Sequence, residues 1–405
     1  MSKVKIGIIS EGKIPVDHRV PFTPEAAKKI STLFNNAEIK CQTSKVRCYQ
    51  DEEYSNNGIE VVKEIDDCEV LMGVKEVPIP DLIADKTYFF FSHTTKKQPY
   101  NRSLLQAILK KNITLIDYEN LTDANGLRVV AFGRYAGIVG AYNGILTYGK
   151  RYNLFHLNPA HKCFDMAEMQ REYKKVKLPA IKILITGGGR VSKGAMEVLN
   201  EMGIRKVTPA QILNEHYNEA VYTQLNSRDY YKPKNGKEFK RNHFHEFPED
   251  YEGDFLQYAD VSDLLIAGAF WNPKAPVLFT RENIMHNGFK IKVIADITCD
   301  IEGSIPSTKQ PATIDNPIYD YNPSEDKVEP ALSDEANITV MAVDNLPCEL
   351  PRNASEDFGR ELINNVLPHL LGDDDEEVIK RATITQNGKL TERFSFLQDY
   401  VDEKS

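Results

Sequence analysis

The chain has 405 residues, enough for two α/β domains, each with a core of its own. A formal net charge of −9 argues against nucleic acid or an anionic membrane as partner, and no apolar stretch approaches bilayer-spanning length. Its six cysteines, Cys41, Cys48, Cys68, Cys163, Cys299 and Cys348, show no paired or zinc-type spacing, so reduced thiols, no metal and a cytoplasmic chain are expected.

The opening run, Met1-Ser2-Lys3-Val4-Lys5-Ile6, has no signal-peptide pattern and leads into a strand over 4–9. A helix over 23–33 follows, with Thr23 as its cap and Pro24 at its first position. Strands are predicted over 38–41, 70–74, 88–92 and 113–116, with helices such as 103–110 between them. This alternation implies a mostly parallel sheet. Residues 129–148, rich in Ala and Gly, read as a buried helix crossing between domains, and 149–178 as a polar connection.

A second αβ pattern opens at 181–186, an apolar strand that runs into Gly187-Gly188-Gly189. Ala195, Val198, Leu199 and Met202 then recur at helical spacing, and Gly203 is placed to end the helix. Glycines let the backbone turn sharply and approach a ligand, and the free N–H groups of the helix start can hold a pyrophosphate. A tight turn without ligand has the same glycines, so the strand–glycine–helix order carries the dinucleotide reading. Further strands are predicted over 206–208, 264–267, 290–296 and 338–343, with an insertion at about 209–260. Within it, His243-Phe244-His245 lacks a third metal ligand nearby and reads as surface. A helix over 355–371 follows, the acidic run 373–377 reads as a solvated turn, and the final helices should pack back on the first domain.

The expected architecture is α/β: two Rossmann-like parallel-sheet domains with the active site in the cleft between them. Residues 1–145 with 350–405 form the catalytic domain and 146–349 the dinucleotide-binding domain.

Lys75 and His93 each follow the C-terminal end of a predicted strand, and one short helix is expected between the two strands, which makes them parallel neighbours. Ligands of open α/β sheets bind at such strand ends. A desolvated lysine there can exchange protons near neutrality, as can histidine; a surface lysine and a capping histidine would look the same in sequence. Arg19 and Arg128 offer planar forks for carboxylates. Asp296-Ile297-Thr298-Cys299-Asp300 and Val343-Asp344-Asn345-Leu346-Pro347 follow strands whose ends face the nicotinamide in this type of fold, although Asp, Asn and Thr also favour ordinary turns.

Taken together, Arg19-Val20-Pro21-Phe22-Thr23-Pro24, Gly73-Val74-Lys75-Glu76, Phe91-Ser92-His93, Arg128–Gly133, the Gly187–Ala195 turn, Ile294–Ile297 and Asp344–Pro347 resemble lysine-forming saccharopine dehydrogenases. The Val-Ser-Lys-Gly-Ala helix start, Gly303-Ser304-Ile305 and Glu349-Leu350-Pro351 favour the lysine–ketoglutarate reductase branch. Alanine dehydrogenases and transhydrogenases are similar at greater distance. The resemblance implies that Lys75 and His93 are the catalytic acid/base pair. It implies substrate contacts at Arg19, Gln98, Arg128, Phe132, Thr298, Cys299 and Asp300. It implies dinucleotide contacts at Gly187, Gly189, Arg190, Val191, Phe270, Ile297, Val343, Asp344, Asn345 and Leu346.

Two departures stand out. Leu127 replaces an arginine that contacts cofactor in the family. The strand at 206–208, taken as the second of the Rossmann sheet, carries no acid for the ribose hydroxyls, and Arg190, Arg205 and Lys206 lie in the same part of the domain. This leans from NAD toward NADP. The implied reaction is reductive condensation of L-lysine and 2-oxoglutarate to saccharopine, or its reverse. The rivals are an alanine dehydrogenase-like enzyme and a non-catalytic dinucleotide-binding sensor. Expected partners are small molecules, with a homo-oligomer possible in this type of chain.

Overall fold

A computed structural model describes residues 3–404, so Met1 and Ser2 of the N-terminal run lie outside the described residues. The chain divides into two compact units, Met1–Phe132 with Pro351–Ser405, and Gly133–Leu350. Each is built on an eight-stranded mixed sheet that is mostly parallel.

The strands run in chain order as follows. The first unit begins with β1 (Val4–Ile8), β2 (Ala37–Gln42), β3 (Glu60–Val62), β4 (Val70–Met72), β5 (Thr87–Phe90) and β6 (Thr114–Asp117). The second holds β7 (Lys182–Thr186), β8 (Arg205–Lys206), β9 (Val221–Leu225), β10 (Tyr231–Pro233), β11 (Tyr251–Gly253), β12 (Leu264–Ala267), β13 (Val293–Asp296), β14 (Ile318–Asn322), β15 (Lys327–Glu329) and β16 (Ile338–Met341). The chain then returns to the first unit with β17 (Thr383–Gln386) and β18 (Lys389–Leu390).

The first sheet has the order β18-β17-β6-β5-β4-β1-β2-β3. Its central strands β4 and β5 are short and apolar, as strands buried on both faces are, whereas β2 alternates buried and half-buried residues. β4 and β5 are adjacent and parallel, with Met72 opposite Phe89. The helix Pro24–Leu33 starts where Thr23 accepts the Ala26 N–H at 3.1 Å, and it buries Ala27 and Ile30. The C-terminal helix Pro351–Asn365 adds Phe358 and Leu362 to the same core. The expected helix over 355–371 breaks before Leu367–Leu371, where Pro368 has no N–H to donate. The chain end is also not purely helical, since β17 extends the sheet antiparallel to β6.

The second sheet has the order β15-β14-β16-β13-β12-β7-β9-β8. This corrects the expected topology. The strand beside β7 is β9, inside the region read as an insertion, and β8 is the edge. Thr208 ends that edge by capping the helix Pro209–Asn214, with Gln211 completing the box. The 129–148 helix begins only at Gly133, because Val129 donates its N–H to Leu121 and Arg128 pairs with Thr122 across a bridge. The 149–178 connection contains the helix Met166–Glu172, capped by Asp165, with Met166, Met169 and Tyr173 buried.

Two glycines explain how the long helix Gly133–Arg151 packs. A Cβ at Gly137 would overlap the Val191 carbonyl, and one at Gly194 would overlap the Arg134 carbonyl. The helices Gly133–Arg151 and Arg190–Glu201 therefore cross with backbones nearly touching. The unit boundary falls at Gly133 because this helix packs on Arg190–Glu201 and β13.

Candidate active site

In the first unit, the carboxyl ends of β1, β4, β5 and β6 lie along one edge of the sheet. Lys75 stands just past β4, on a backbone clamped by Glu11, whose carboxylate accepts the Val74 N–H at 2.6 Å and the Lys75 N–H at 2.9 Å. Burial lowers the Lys75 pKa, and the Arg19 guanidinium lowers it further; Asp17 and Glu76 oppose them. Burial pushes Glu11 up to about 8 against the pull of those two N–H donors.

His93 stands past β5 with φ of +53°, a conformation a non-glycine residue adopts at some cost. Two carboxylates hold it there. Buried Asp117 accepts the Ser92 N–H at 3.1 Å and also the Ser92 hydroxyl. Glu76 Oε1 lies 2.7 Å from His93 Nδ1, and its Oε2 takes Lys13 Nζ at 2.5 Å. Glu76, on the residue after Lys75, thus ties the two expected proton-transfer groups into one cluster.

Arg19 is buried with Asp17, which accepts its N–H at 3.0 Å, its Nε at 2.9 Å and its Nη2 at 2.6 Å. Burial works against the Asp17 carboxylate, but the Arg19 charge prevails and holds it well below the usual range. The other face of Arg19 lies 4.2 Å above the Phe132 ring, itself stacked on Phe358 at 4.3 Å. Arg128 is half exposed, with Nη2 3.3 Å from Glu119. Gln98 is exposed on the loop after His93, and its carbonyl accepts the Tyr400 hydroxyl at 2.5 Å.

In the second unit the expected residues also gather on one carboxyl edge. Gly187 follows β7 with φ of +98°, donating its N–H to Leu225 at 2.8 Å. Gly189 caps the helix Arg190–Glu201, and a Cβ there would meet nothing within 4 Å, so the space over the helix start is open. Phe270 follows β12 and is 87% exposed. Ile297 follows β13, and Val343–Leu346 follow β16. Buried Asp296 organises the loop between, accepting the Thr298 N–H at 3.1 Å, its hydroxyl at 2.7 Å and the Thr308 hydroxyl at 2.6 Å. Cys299 is left-handed, with Sγ 3.1 Å from the Ala342 carbonyl, and Asp300 is exposed. The expected substrate contacts are thus split, with Thr298, Cys299 and Asp300 in the second unit and the other four in the first.

Two family models match along the chain: the alanine dehydrogenase/PNT N-terminal domain over residues 7–139 and the C-terminal domain over residues 169–393. The chain belongs to the alanine dehydrogenase/PNT family. Curated relatives include alpha-aminoadipic semialdehyde synthase of Rattus norvegicus, mitochondrial by its name, at 30% identity over 94% of this chain and 46% of that protein. Saccharopine dehydrogenase [NAD(+), L-lysine-forming] of Yarrowia lipolytica is 26% identical over 90% of this chain and 92% of that one. The chain spans about half the length of the first of these relatives. Among solved structures, an L-alanine dehydrogenase superposes with a TM-score of 0.65 at 17% identity, covering 99% of this chain and all of that one.

The alanine dehydrogenase/PNT fold accounts for the glycine turn, and the structure fits a dinucleotide to it: Gly187 has the turn's positive φ, and Gly189 leaves room above the helix N-terminus. The strand beside β7, whose end faces the ribose, is β9 and not the expected 206–208, and at its end stand Asn226, Ser227 and Arg228. Asn226 Oδ1 lies where a Cβ on Gly188 would point. The following acid, Asp229, is spent in accepting the Asn226 N–H at 2.7 Å. Glu11, Asp17, Glu76, Asp117 and Glu119 carry no expected role in the sequence, although each lines the site. Asp17 and Glu76 lie within two residues of Arg19 and Lys75, and a carboxylate that close to a candidate lysine or arginine is the signal that marks them. No group of His, Cys, Asp and Glu that could hold a metal occurs among the described residues, and no helix there is long and apolar enough to cross a membrane.

Proposed function

We propose that the protein is a pyridine-nucleotide oxidoreductase that condenses L-lysine with 2-oxoglutarate and reduces the product to saccharopine, or runs the reverse. The observation that carries this reading is the Lys75–Glu76–His93 cluster: a desolvated lysine and a carboxylate-bound imidazole on one strand edge, with the Arg19 guanidinium acting on the lysine. The family and the names of its relatives support it.

Condensation needs protons moved at each stage. The attacking ε-amine must lose one, and the carbinolamine oxygen must gain one to leave as water. Lys75, desolvated and therefore readier to give up its proton, exchanges it with the reacting nitrogen or oxygen. His93, oriented by Glu76, serves the second position. Arg128, half exposed, is the fork for a substrate carboxylate. Arg19 has given its Nε and Nη2 edge to Asp17, so it acts by fixing the local field and the Phe132 ring. In the second unit, the Gly187–Gly189 turn and the helix start at Arg190 would hold the cofactor's pyrophosphate, with Val191, Phe270, Ile297, Val343, Asp344, Asn345 and Leu346 around the rest. When bound, the nicotinamide supplies the hydride. The Asn226-Ser227-Arg228 end of β9 favours NADP over NAD.

The test is oxidation of NADPH and NADH, followed by absorbance, with lysine plus 2-oxoglutarate in one arm and pyruvate plus ammonia in the other. Turnover in the first arm alone is expected. Turnover only with pyruvate and ammonia replaces this reading with an alanine dehydrogenase activity, and turnover in neither rules out both.

A further inference from the structure

The first unit contains a cavity of about 680 Å³ that none of the proposed chemistry uses. It lies between the helices Leu367–Leu371 and Val378–Ala382 on one side and the β17–β18 hairpin with Thr391–Arg393 on the other. Its size falls in the range of small-molecule sites.

The polar groups around it are unequally satisfied. Asp374 is spent on backbone, accepting the Ile379 N–H at 3.2 Å and the Lys380 N–H at 2.9 Å. Glu377 and Lys380 pair with each other at 2.5 Å and cancel. Arg381 donates Nη2 to the Thr122 carbonyl at 2.7 Å, but its Nε is buried without an acceptor. His369 Nδ1 is likewise buried, 3.6 Å from Asp374, outside hydrogen-bond reach. Arg393 stands exposed at the rim, next in the chain to the equally exposed Glu392, and Arg381 and Arg393 are the cations of the lining that no salt bridge to Glu377 removes. A buried guanidinium N–H without a partner is costly, and an oxyanion beside it would remove that cost.

We infer that this cavity binds a small organic molecule through a carboxylate or phosphate group held by Arg381 and Arg393. The site is coupled to the candidate active site. Thr122, which Arg381 holds, bridges to Arg128 across the loop, and Asp123 donates its N–H to Leu127 at 2.9 Å within it. An anion that draws the Arg381 guanidinium toward the cavity therefore acts on the loop that presents Arg128. Binding stands on the cavity alone; the coupling rests on the substrate role proposed for Arg128.

Citrate and inorganic pyrophosphate, the carboxylate and phosphate probes, are titrated calorimetrically into the full chain. At least one is expected to bind with Kd of about 1 mM or tighter. Arg393→Ala, on the rim where folding is not at stake, should weaken it about tenfold, and Arg381→Lys should do the same, while Arg128→Ala should leave it unchanged. Binding of only one probe identifies the anion class. Failure of both probes, or affinity that survives Arg393→Ala and Arg381→Lys but is lost in Arg128→Ala, overturns the site. A saturating probe should also shift the keto-acid KM about threefold in the wild type and not in Arg393→Ala; an unmoved KM with intact binding overturns the coupling.

Discussion

The Nδ1 atom of His93 lies 2.7 Å from Oε1 of Glu76. Burial by itself would raise the Glu76 carboxyl, but His93 and Lys13 outweigh it and hold it at about 2. A depressed carboxylate stabilises the fold above its unfolded pKa, and that stability is lost as pH falls toward the folded value. From 4.5 down to about 2, Glu76 should therefore account for a loss on the order of 3 kcal/mol. Buried Asp17 adds a loss of the same sign. Urea unfolding at pH 5.5 and at pH 3 checks this: the wild type should lose stability between the two, and Glu76→Gln should lose clearly less.

Glu11 should act in the opposite sense. Burial, the largest influence, raises it to about 8 despite the Val74 and Lys75 N–H groups. The folded state then holds a proton that the unfolded chain releases near 4.5, so stability falls as pH rises from 4.5 to about 8. The two carboxylates act in separate windows. Buried Asp117, raised to about 6, adds a decline of the same sign below that pH, so the Glu11 share is read above it. In Glu11→Gln the decline between about pH 6.5 and pH 8 should shrink; a slope there equal to that of the wild type would show that another group is responsible.

Lys75→Met and His93→Gln should each lower kcat by roughly 10²–10⁴-fold, the range for a lost general acid or base. Neither should unfold the protein, since neither side chain belongs to the apolar core. Near-wild-type turnover across the pH range in either variant would remove that residue from the proton-transfer pair.

Gly137 and Gly194 set the crossing of two helices in the second unit. A methyl at either position would run into a backbone carbonyl, which cannot swing aside as a side chain can. Gly137→Ala and Gly194→Ala should each cost about 2 kcal/mol or more, in the manner of core overpacking. Thermal unfolding measures this, and a Tm within a degree or two of the wild type would mean the helices have room to separate.

Much of this was legible in the residues. Apolar strands alternating with helices specify a parallel sheet, and Lys75 and His93 could be placed on neighbouring strand ends because consecutive strands joined by one short crossover usually pair side by side. What was not legible was order within the second sheet. Lys206-Val207-Thr208 has the β-branched look of a strand, yet Pro209 and the Thr208 cap begin a helix at once. β9 reads as polar sequence, Val-Tyr-Thr-Gln-Leu, because buried Thr223 satisfies its hydroxyl on the Val207 carbonyl at 2.9 Å. The carboxylates at the site were missed for a related reason. Glu11 and Asp117 bind backbone N–H groups a whole strand or more away, and composition and periodicity do not report such pairings.

That misplaced strand bears directly on cofactor choice. NAD-type sheets put an acid at the end of the strand beside the glycine turn, where it accepts hydrogen bonds from both ribose hydroxyls and repels a 2′-phosphate. Here that strand is β9, and it ends in Asn226-Ser227-Arg228. Asn226 carries no charge, and Arg228 is largely exposed, with its Nε 3.9 Å from Asp229. Lys206 reaches the same face, with Nζ 3.3 Å from Gln224, which in turn donates to the Gly187 carbonyl at 2.9 Å. Two cations and no unspent acid suit a 2′-phosphate. NADPH should therefore give a kcat/KM at least equal to that of NADH. Asn226→Asp should lower the NADPH value about tenfold or more, and Arg228→Ala should lower it with little effect on NADH. Steady-state kinetics with both cofactors decides it: a wild-type preference for NADH of about tenfold, ~1.4 kcal/mol in transition-state binding, would sink the assignment.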